Sequence, residues 1–290
     1  MKRAKILYDG EPVWGIVEGK WIKLDNEKRV SVLEASYLPP VNPSKIIAVH
    51  LSYRSRTVEY QMKQTPPYPS YFMKPPSSLS HHGAAVKRPK GCRFLNYEGE
   101  IAIVIGRKCR NVSIDDALSY VAGYTVANDW GLHDFRHADR GSMFRVKGQD
   151  GYCPIGPFIV DARDVNPDNM NIRTYVNNVV VQQTNTGSDL LFSFAYMIAD
   201  IARFITLEPG DVLLSGTPAN SRPVEIGDIV EVEVDGIGRL TNTVVEADEE
   251  VELVGDPPKI SEATLHVALT ISEEEAKEQI GKSNGKGFIQ

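Results

Sequence analysis

Short apolar runs separated by turn dipeptides open the chain. Residues 6–8, 13–17 and 21–24 are β-rich and are divided by Asp9-Gly10 and Glu18-Gly19, a pattern that predicts a small antiparallel meander. Pro39-Pro40 and Pro43 then make a stiff break before an apolar strand at 46–49, which places a boundary near residue 42. Further on, residues 100–105 read as a mostly apolar strand stopped by Gly106. Residues 171–181 read as a hairpin around Asn177-Asn178, and 229–234 as a strand with one wet face. Two helices interrupt this. One starts at a Ser113 cap and runs through Tyr120. The other spans about 189–205, with Leu190, Phe194, Met197, Ile198, Ile201 and Ile205 at helical spacing, and its stripe is assigned to core packing. Strands with few helices predict a mainly β fold rather than βαβ repetition.

After Asp256-Pro257-Pro258 the composition turns charged. Ser272 and Glu275 cap a short helix through Gln279, and 281–287 read as disordered. The expected organisation is a small β domain over 1–42, a catalytic domain over 43–250 and a peripheral charged extension over 251–290.

Charge and cysteine usage narrow the function classes. Asp and Glu outnumber Lys and Arg by 38 to 32, for a net charge of -6, and no basic stretch stands out, which argues against a nucleic-acid partner. The three cysteines, Cys92, Cys109 and Cys153, are widely spaced and read as reduced thiols. No apolar run reaches membrane length. The expectation is a cytoplasmic protein with a small-molecule partner.

Glu98-Gly99-Glu100 carries the strongest chemical signal. Residues two apart on a strand share a face, so both carboxylates converge while Gly99 places no side chain opposite. A solvated strand edge is the ordinary alternative. Yet the strand becomes apolar at once, and Asp129 stands at the end of another apolar stretch, 124–127. Three hard oxygen donors would hold one divalent cation, Mg2+ or Mn2+ (with Ca2+ able to occupy such a site in crystals), and leave positions for water and a chelating substrate.

Other candidates have two readings. Lys147 is either a surface lysine or an ammonium that binds a substrate carboxylate or steadies enolate charge. Thr217, next to Gly216, is either a simple turn or an oxyanion donor that the glycine lets a substrate approach. Arg136, Arg140 and Arg145 follow Asp129, and an arginine there, with Arg140 the choice, clamps a second carboxylate. His81-His82 reads as solvent-facing. His133 and His137, four apart, lack a third ligand for zinc.

The ordered set 96–106, 121–129, Lys147 with 150–157, Gly210-Asp211, 215–218 and Gly227-Asp228 resembles the fumarylacetoacetate hydrolase family over about residues 44–246. Within it the set is most similar to the bacterial homoprotocatechuate-pathway isomerase/decarboxylase branch. The resemblance implies a mixed β-sandwich roll, a homodimer, a divalent metal on Glu98, Glu100 and Asp129, and a substrate faced by Lys147 and Thr217. It also implies a departure. Many members carry Asn and a catalytic His where this chain has Ser52 and Arg56, while Glu59 keeps the acidic position. A guanidinium cannot act as a base, so hydrolysis is disfavoured and Glu59 becomes the expected proton shuttle. His133 stands where many members have Arg. The expected activity is therefore metal-assisted isomerisation or decarboxylation of a 2-oxo or 2-hydroxy dicarboxylic acid from aromatic catabolism. An acylpyruvate-type C–C hydrolase and a non-catalytic metabolite-binding protein are the rivals.

Overall fold

Alternation sorts the strand Gly99–Ile105 between two cores: Ile101, Ile103 and Ile105 enter one apolar cluster, Ala102 and Val104 another, and all seven residues are buried. The computed structural model describes residues 1–25, 27–139, 141–248 and 254–284. In it this strand lies within a 13-stranded sheet, between Val121–Asn128 and Val212–Leu214. Beyond Val212–Leu214 come Ile46–His50 and Ser70–Lys74. Beyond Val121–Asn128 come Phe158–Asp161 and then Lys2–Tyr8, through which the N-terminal meander joins the same sheet.

A second, five-stranded sheet contains the hairpin Asn171–Val176 and Val179–Asn185 together with Ile229–Val234, Gly238–Glu246 and Ala85–Arg88. Its Ile172, Val232 and Val234 share a core with Ile101 and Ile103. Parallel pairings occur in both sheets, Val212–Leu214 with Ile46–His50 and Gly238–Glu246 with Ala85–Arg88. The result is the expected mixed β-sandwich with an N-terminal meander. Asn177 and Asn178 both take positive φ, 49° and 67°, as a two-residue hairpin turn requires. The two sheets approach closely at Gly99: a Cβ there would sit 2.1 Å from Thr174 Oγ1 and 3.1 Å from Val232 Cγ1.

The predicted helix over 189–205 is shorter, Phe194–Ala202, capped by Ser193, whose hydroxyl accepts from the Tyr196 amide. Asp189 instead closes a separate short helix, Thr186–Asp189, with its carboxylate accepting from Ser55 and Thr184. Leu190 then takes an extended conformation and bridges Tyr53, which separates the two helices. The apolar stripe is core, as expected: Phe194, Met197, Ile198 and Ile201 are buried.

The tail departs most from expectation, because it is not peripheral. The helix Glu262–Leu269 buries Leu265 and Ala268. Its Thr264 hydroxyl donates to the His133 carbonyl at 3.0 Å, and Asn96 Nδ2 donates to the Ala268 carbonyl at 2.9 Å. A second helix, Glu273–Asn284, begins at the predicted Ser272/Glu275 cap but continues past Gln279, so Gly281 is helical rather than disordered. Residues 285–287, also expected to be disordered, lie outside the described residues. A charged average composition concealed the buried pair Leu265 and Ala268, which lie three apart on one helical face.

Candidate active site

Strand register assembles the carboxylates. Gly99 pairs with Asn128 and Glu100 with Ala127, and the next residue, Asp129, donates its amide to the Glu98 carbonyl at 2.8 Å. One carboxylate oxygen from each of Glu98, Glu100 and Asp129 lies within 4.8 Å of the others. Glu100 and Asp129 are buried. The Gly216 amide donates to Glu100 Oε2 at 2.7 Å. Gly216 has φ of +80°, and a Cβ there would meet Ser52 Oγ at 2.0 Å, so a glycine is what lets the amide take this position.

Burial first, then the charges of Asp129 and Glu98, push the Glu100 carboxyl well above its ordinary range. Asp129 goes the other way: burial opposes its ionisation, but Lys147 and Lys74 outweigh it and hold its carboxyl low. Hard oxygen donors that include Glu100, which has no ion-pair partner among the described residues, suit a divalent cation of the Mg2+ or Mn2+ type, which would also oppose the shift on Glu100. The donor set therefore fits the ion the sequence led us to expect.

Two lysines border these carboxylates. Lys147 Nζ lies 2.6 Å from Glu98 Oε2 and 3.0 Å from Asp129 Oδ2, and donates to the Asp129 carbonyl at 2.7 Å. Despite its burial, Asp129 and Glu98 hold its ammonium above the ordinary range. Lys74, missed in the sequence, is fully buried and donates to Asp129 Oδ1 at 2.5 Å and to the Tyr152 carbonyl at 3.1 Å. It ends the strand Ser70–Lys74 just before Pro75-Pro76, the same strand-end signal that singled out Glu98 and Asp129.

The triad opens into a cavity of about 510 Å³ that is also lined by Arg56, Arg136, Lys147 and Thr217. Thr217 Oγ1 accepts from Gln182 Nε2 at 3.0 Å, which leaves its own hydroxyl proton free to donate elsewhere. Arg56 is buried. It bonds Glu59 at 2.7 Å and the Tyr60 hydroxyl at 3.0 Å, and stands 3.9 Å from Glu98. Glu59 does not line the cavity. Its carboxylate is taken up by Arg56, by Arg222 at 2.8 Å and by the Asn220 amide, an arrangement that suits an anchor and not a proton shuttle.

Of the candidate arginines and histidines that are described, some line the cavity and others turn away from it. Arg140 lies outside the described residues, and Arg145 turns to Asp139 at 3.3 Å. Of the two that are described, Arg145 does not line the cavity and Arg136 does. Its guanidinium donates to Met143 Sδ at 3.0 Å, and no carboxylate among the described residues pairs with it. His133 also lines the cavity, buried and without a hydrogen-bond partner for either ring nitrogen among the described residues. Burial, then Arg136, Lys147 and Arg56, keep its imidazole neutral, well below the ordinary range. His137 turns to Asp256, 2.9 Å away. His81 and His82 are both half-buried rather than fully solvent-facing. His82 Nδ1 accepts from the Thr241 amide, and its ring meets Tyr37 edge-on at 5.0 Å.

A mixed β-sandwich with a candidate carboxylate metal site beside a cationic cavity is the class that fold and site define. Residues 45–245 match the family described as fumarylacetoacetate (FAA) hydrolase C-terminal, and the chain belongs to the fumarylacetoacetate hydrolase family. It is similar to the 4-hydroxyphenylacetate degradation bifunctional isomerase/decarboxylase of Salmonella dublin, with 40% identity over 202 residues, 69% of this chain and 46% of that protein. The chain thus matches less than half of that enzyme's length. The crystal structure of 5-carboxymethyl-2-hydroxymuconate delta-isomerase from Mycobacterium smegmatis superposes with a TM-score of 0.77 at 33% identity, covering 86% of this chain and 100% of that one. Maleylpyruvate hydrolase from Sphingobium sp. SYK-6, solved with manganese(II) and pyruvate, superposes with a TM-score of 0.72 at 28% identity, covering 86% and 100%. The likeness to the isomerase/decarboxylase branch is therefore present in both sequence and structure.

Proposed function

We propose that the chain is a divalent-metal-dependent isomerase or decarboxylase of a small 2-oxo or 2-hydroxy dicarboxylic acid, acting through an enolate. The observation that carries this reading is the convergence of Glu98, Glu100 and Asp129 at a cavity that also holds Lys147, Arg56 and Arg136. When bound, Mg2+ or Mn2+ supplies Lewis-acid polarisation of a 2-oxo group, the electron sink that both tautomerisation and decarboxylation require.

The chain's own residues divide the remaining work. Lys147, held cationic, steadies negative charge gathering on the substrate and does not act as a base. Thr217 donates its free hydroxyl proton to a substrate oxygen. Arg136, without a carboxylate partner among the described residues, receives the far carboxylate. Glu59 fixes the guanidinium of Arg56 at the cavity wall. The homodimer and the cytoplasmic location belong to this proposal as well, and sedimentation of the purified chain tests the first. No helix among the described residues is long and apolar enough to cross a membrane.

The test is a Mg2+- and Mn2+-supplemented screen of oxaloacetate, acylpyruvates and hydroxymuconate-type acids, with products followed by mass spectrometry. Isomerisation conserves mass, decarboxylation releases CO2, and hydrolysis adds water and splits the chain. Wild-type activity and metal affinity in Glu98→Ala would sink the proposal.

A further inference from the structure

We propose that His266, carried into the cavity by the C-terminal helix pair, is the residue that takes and returns the substrate proton. This rests on the reading above, that the cavity enolises a 2-oxo acid. The helix that bears it lies outside the 45–245 family region, so the residue is supplied by an element the family body does not include.

Elimination narrows the cavity's bases. Glu98, Glu100 and Asp129 form the ligand set, and Glu59 is bound by two arginines and a backbone amide. Three histidines line the cavity, His50, His133 and His266. His50 lies against Phe72 at 4.5 Å between ring centres, and burial, then the Arg136 and Lys147 charges, pull its imidazole down to about 4. His133 is fully enclosed, with neither nitrogen oriented by a partner among the described residues.

His266 differs from both. It is half-buried, and its Nδ1 lies 2.6 Å from the Ile271 carbonyl. A carbonyl only accepts, so Nδ1 carries the proton and the lone pair resides on Nε2. The only hydrogen bond of the His266 ring among the described residues is this one at Nδ1, so Nε2 is left unengaged. The ring leans on Tyr60, with centres 5.8 Å apart. The helix beneath it is fixed by Thr264 to the His133 carbonyl, by Asn96 to the Ala268 carbonyl and by Arg222 to the Thr270 hydroxyl at 2.9 Å. A base held in one tautomer by a backbone acceptor is the arrangement proton abstraction needs.

The step balances without a co-reactant. Nε2 accepts the proton from the carbon beside the 2-oxo group. The C–H pair becomes the new C=C bond, and the carbonyl π pair moves to oxygen. The imidazolium then returns the proton to that oxygen, or to a carbon further along the conjugated chain.

The experiment uses the full chain with Mn2+ and oxaloacetate. In His266→Asn the side-chain amide can still donate to Ile271 while the base is lost. We expect kcat for tautomerisation to fall at least about 100-fold, the usual contribution of a positioned base, with KM, Mn2+ affinity and melting temperature within about 3-fold or a few degrees of wild type. Added imidazole should restore the rate of His266→Ala, which a merely structural role would not allow. A readout independent of turnover is the 15N spectrum of neutral His266 in the metal-free chain, expected to show protonated Nδ1 and bare Nε2. A His266→Asn rate equal to wild type, or the opposite tautomer, overturns the role of His266 and leaves the metal-enolate reading standing. A wild-type chain that binds Mn2+ but is inert toward oxaloacetate, or a Glu98→Ala variant at wild-type rate, rejects that reading, and the role falls with it.

Discussion

The Asp129 amide donates to the Glu98 carbonyl at 2.8 Å, so the two carboxylates leave neighbouring strand ends side by side, with Lys147 bonded to both. The candidate ligands are therefore mounted on the sheet's own hydrogen bonding. Glu98→Gln and Asp129→Asn should keep the fold and lose the cation. We expect Mn2+ affinity to drop by more than the roughly 10–100-fold that altering a ligand's hydrogen-bond partner costs, as read by isothermal titration calorimetry. Unchanged affinity in either variant would remove that residue from the site.

Glu100 should make the metal-free protein less stable as pH rises. Its carboxyl is raised in the folded state, so its contribution is fully present below the unfolded value of about 4.3 and is lost as pH climbs through the folded value. Asp129 is lowered, and its contribution disappears only in more acid solution, as pH falls through its folded value. In thermal melts without metal, Glu100→Gln should flatten the decline above about pH 4.3 relative to wild type. Saturating Mn2+ should flatten it in wild type alone. Parallel melting curves for the two proteins would contradict this account.

Gly216 couples backbone geometry to the ligand set. Alanine at a φ of +80°, with its Cβ 2.0 Å from Ser52 Oγ, should cost at least the ~1–3 kcal/mol of a strained backbone position. It should also pull the amide from Glu100. Urea unfolding and Mn2+ titration should therefore both register the change, and a variant with lowered stability but intact affinity would separate the two roles.

Arg136→Gln should raise KM for dicarboxylic substrates about 10–100-fold, the equivalent of losing a charge-assisted hydrogen bond of about 1.5–3 kcal/mol. A monocarboxylic analogue should be nearly indifferent to it. Steady-state kinetics on such a pair is the check, and equal losses for both would place Arg136 elsewhere than on the far carboxylate.

What was legible in the sequence was periodic or local. Glu98-Gly99-Glu100 could be read because strand periodicity is two, and the Asn177-Asn178 turn because both residues tolerate positive φ. The distribution of charge among partners was not legible. Whether Glu59 is a free base or a neutralised anchor depends on Arg222, far along the chain. Lys74 escaped because a lysine on an apolar strand looks like a surface residue until Asp129 stands beside it. The tail was misjudged because its contacts, Thr264 on His133 and Asn96 on Ala268, join segments more than a hundred positions apart, beyond the reach of any local window.

Lys74 and Lys147 both address Asp129, so the protein carries internal counterions of its own. Where binding of an ion is itself the driving force of folding, a chelator unfolds the domain. Here Asp129 is neutralised by the polypeptide itself. On the proposed function, a cation held beside it would be a tenant and not a keystone. The ion in residence would then be decided by supply and exchange after folding, and the same polypeptide should accept loading, stripping and reloading with different metals, so that their chemistry can be compared on one scaffold.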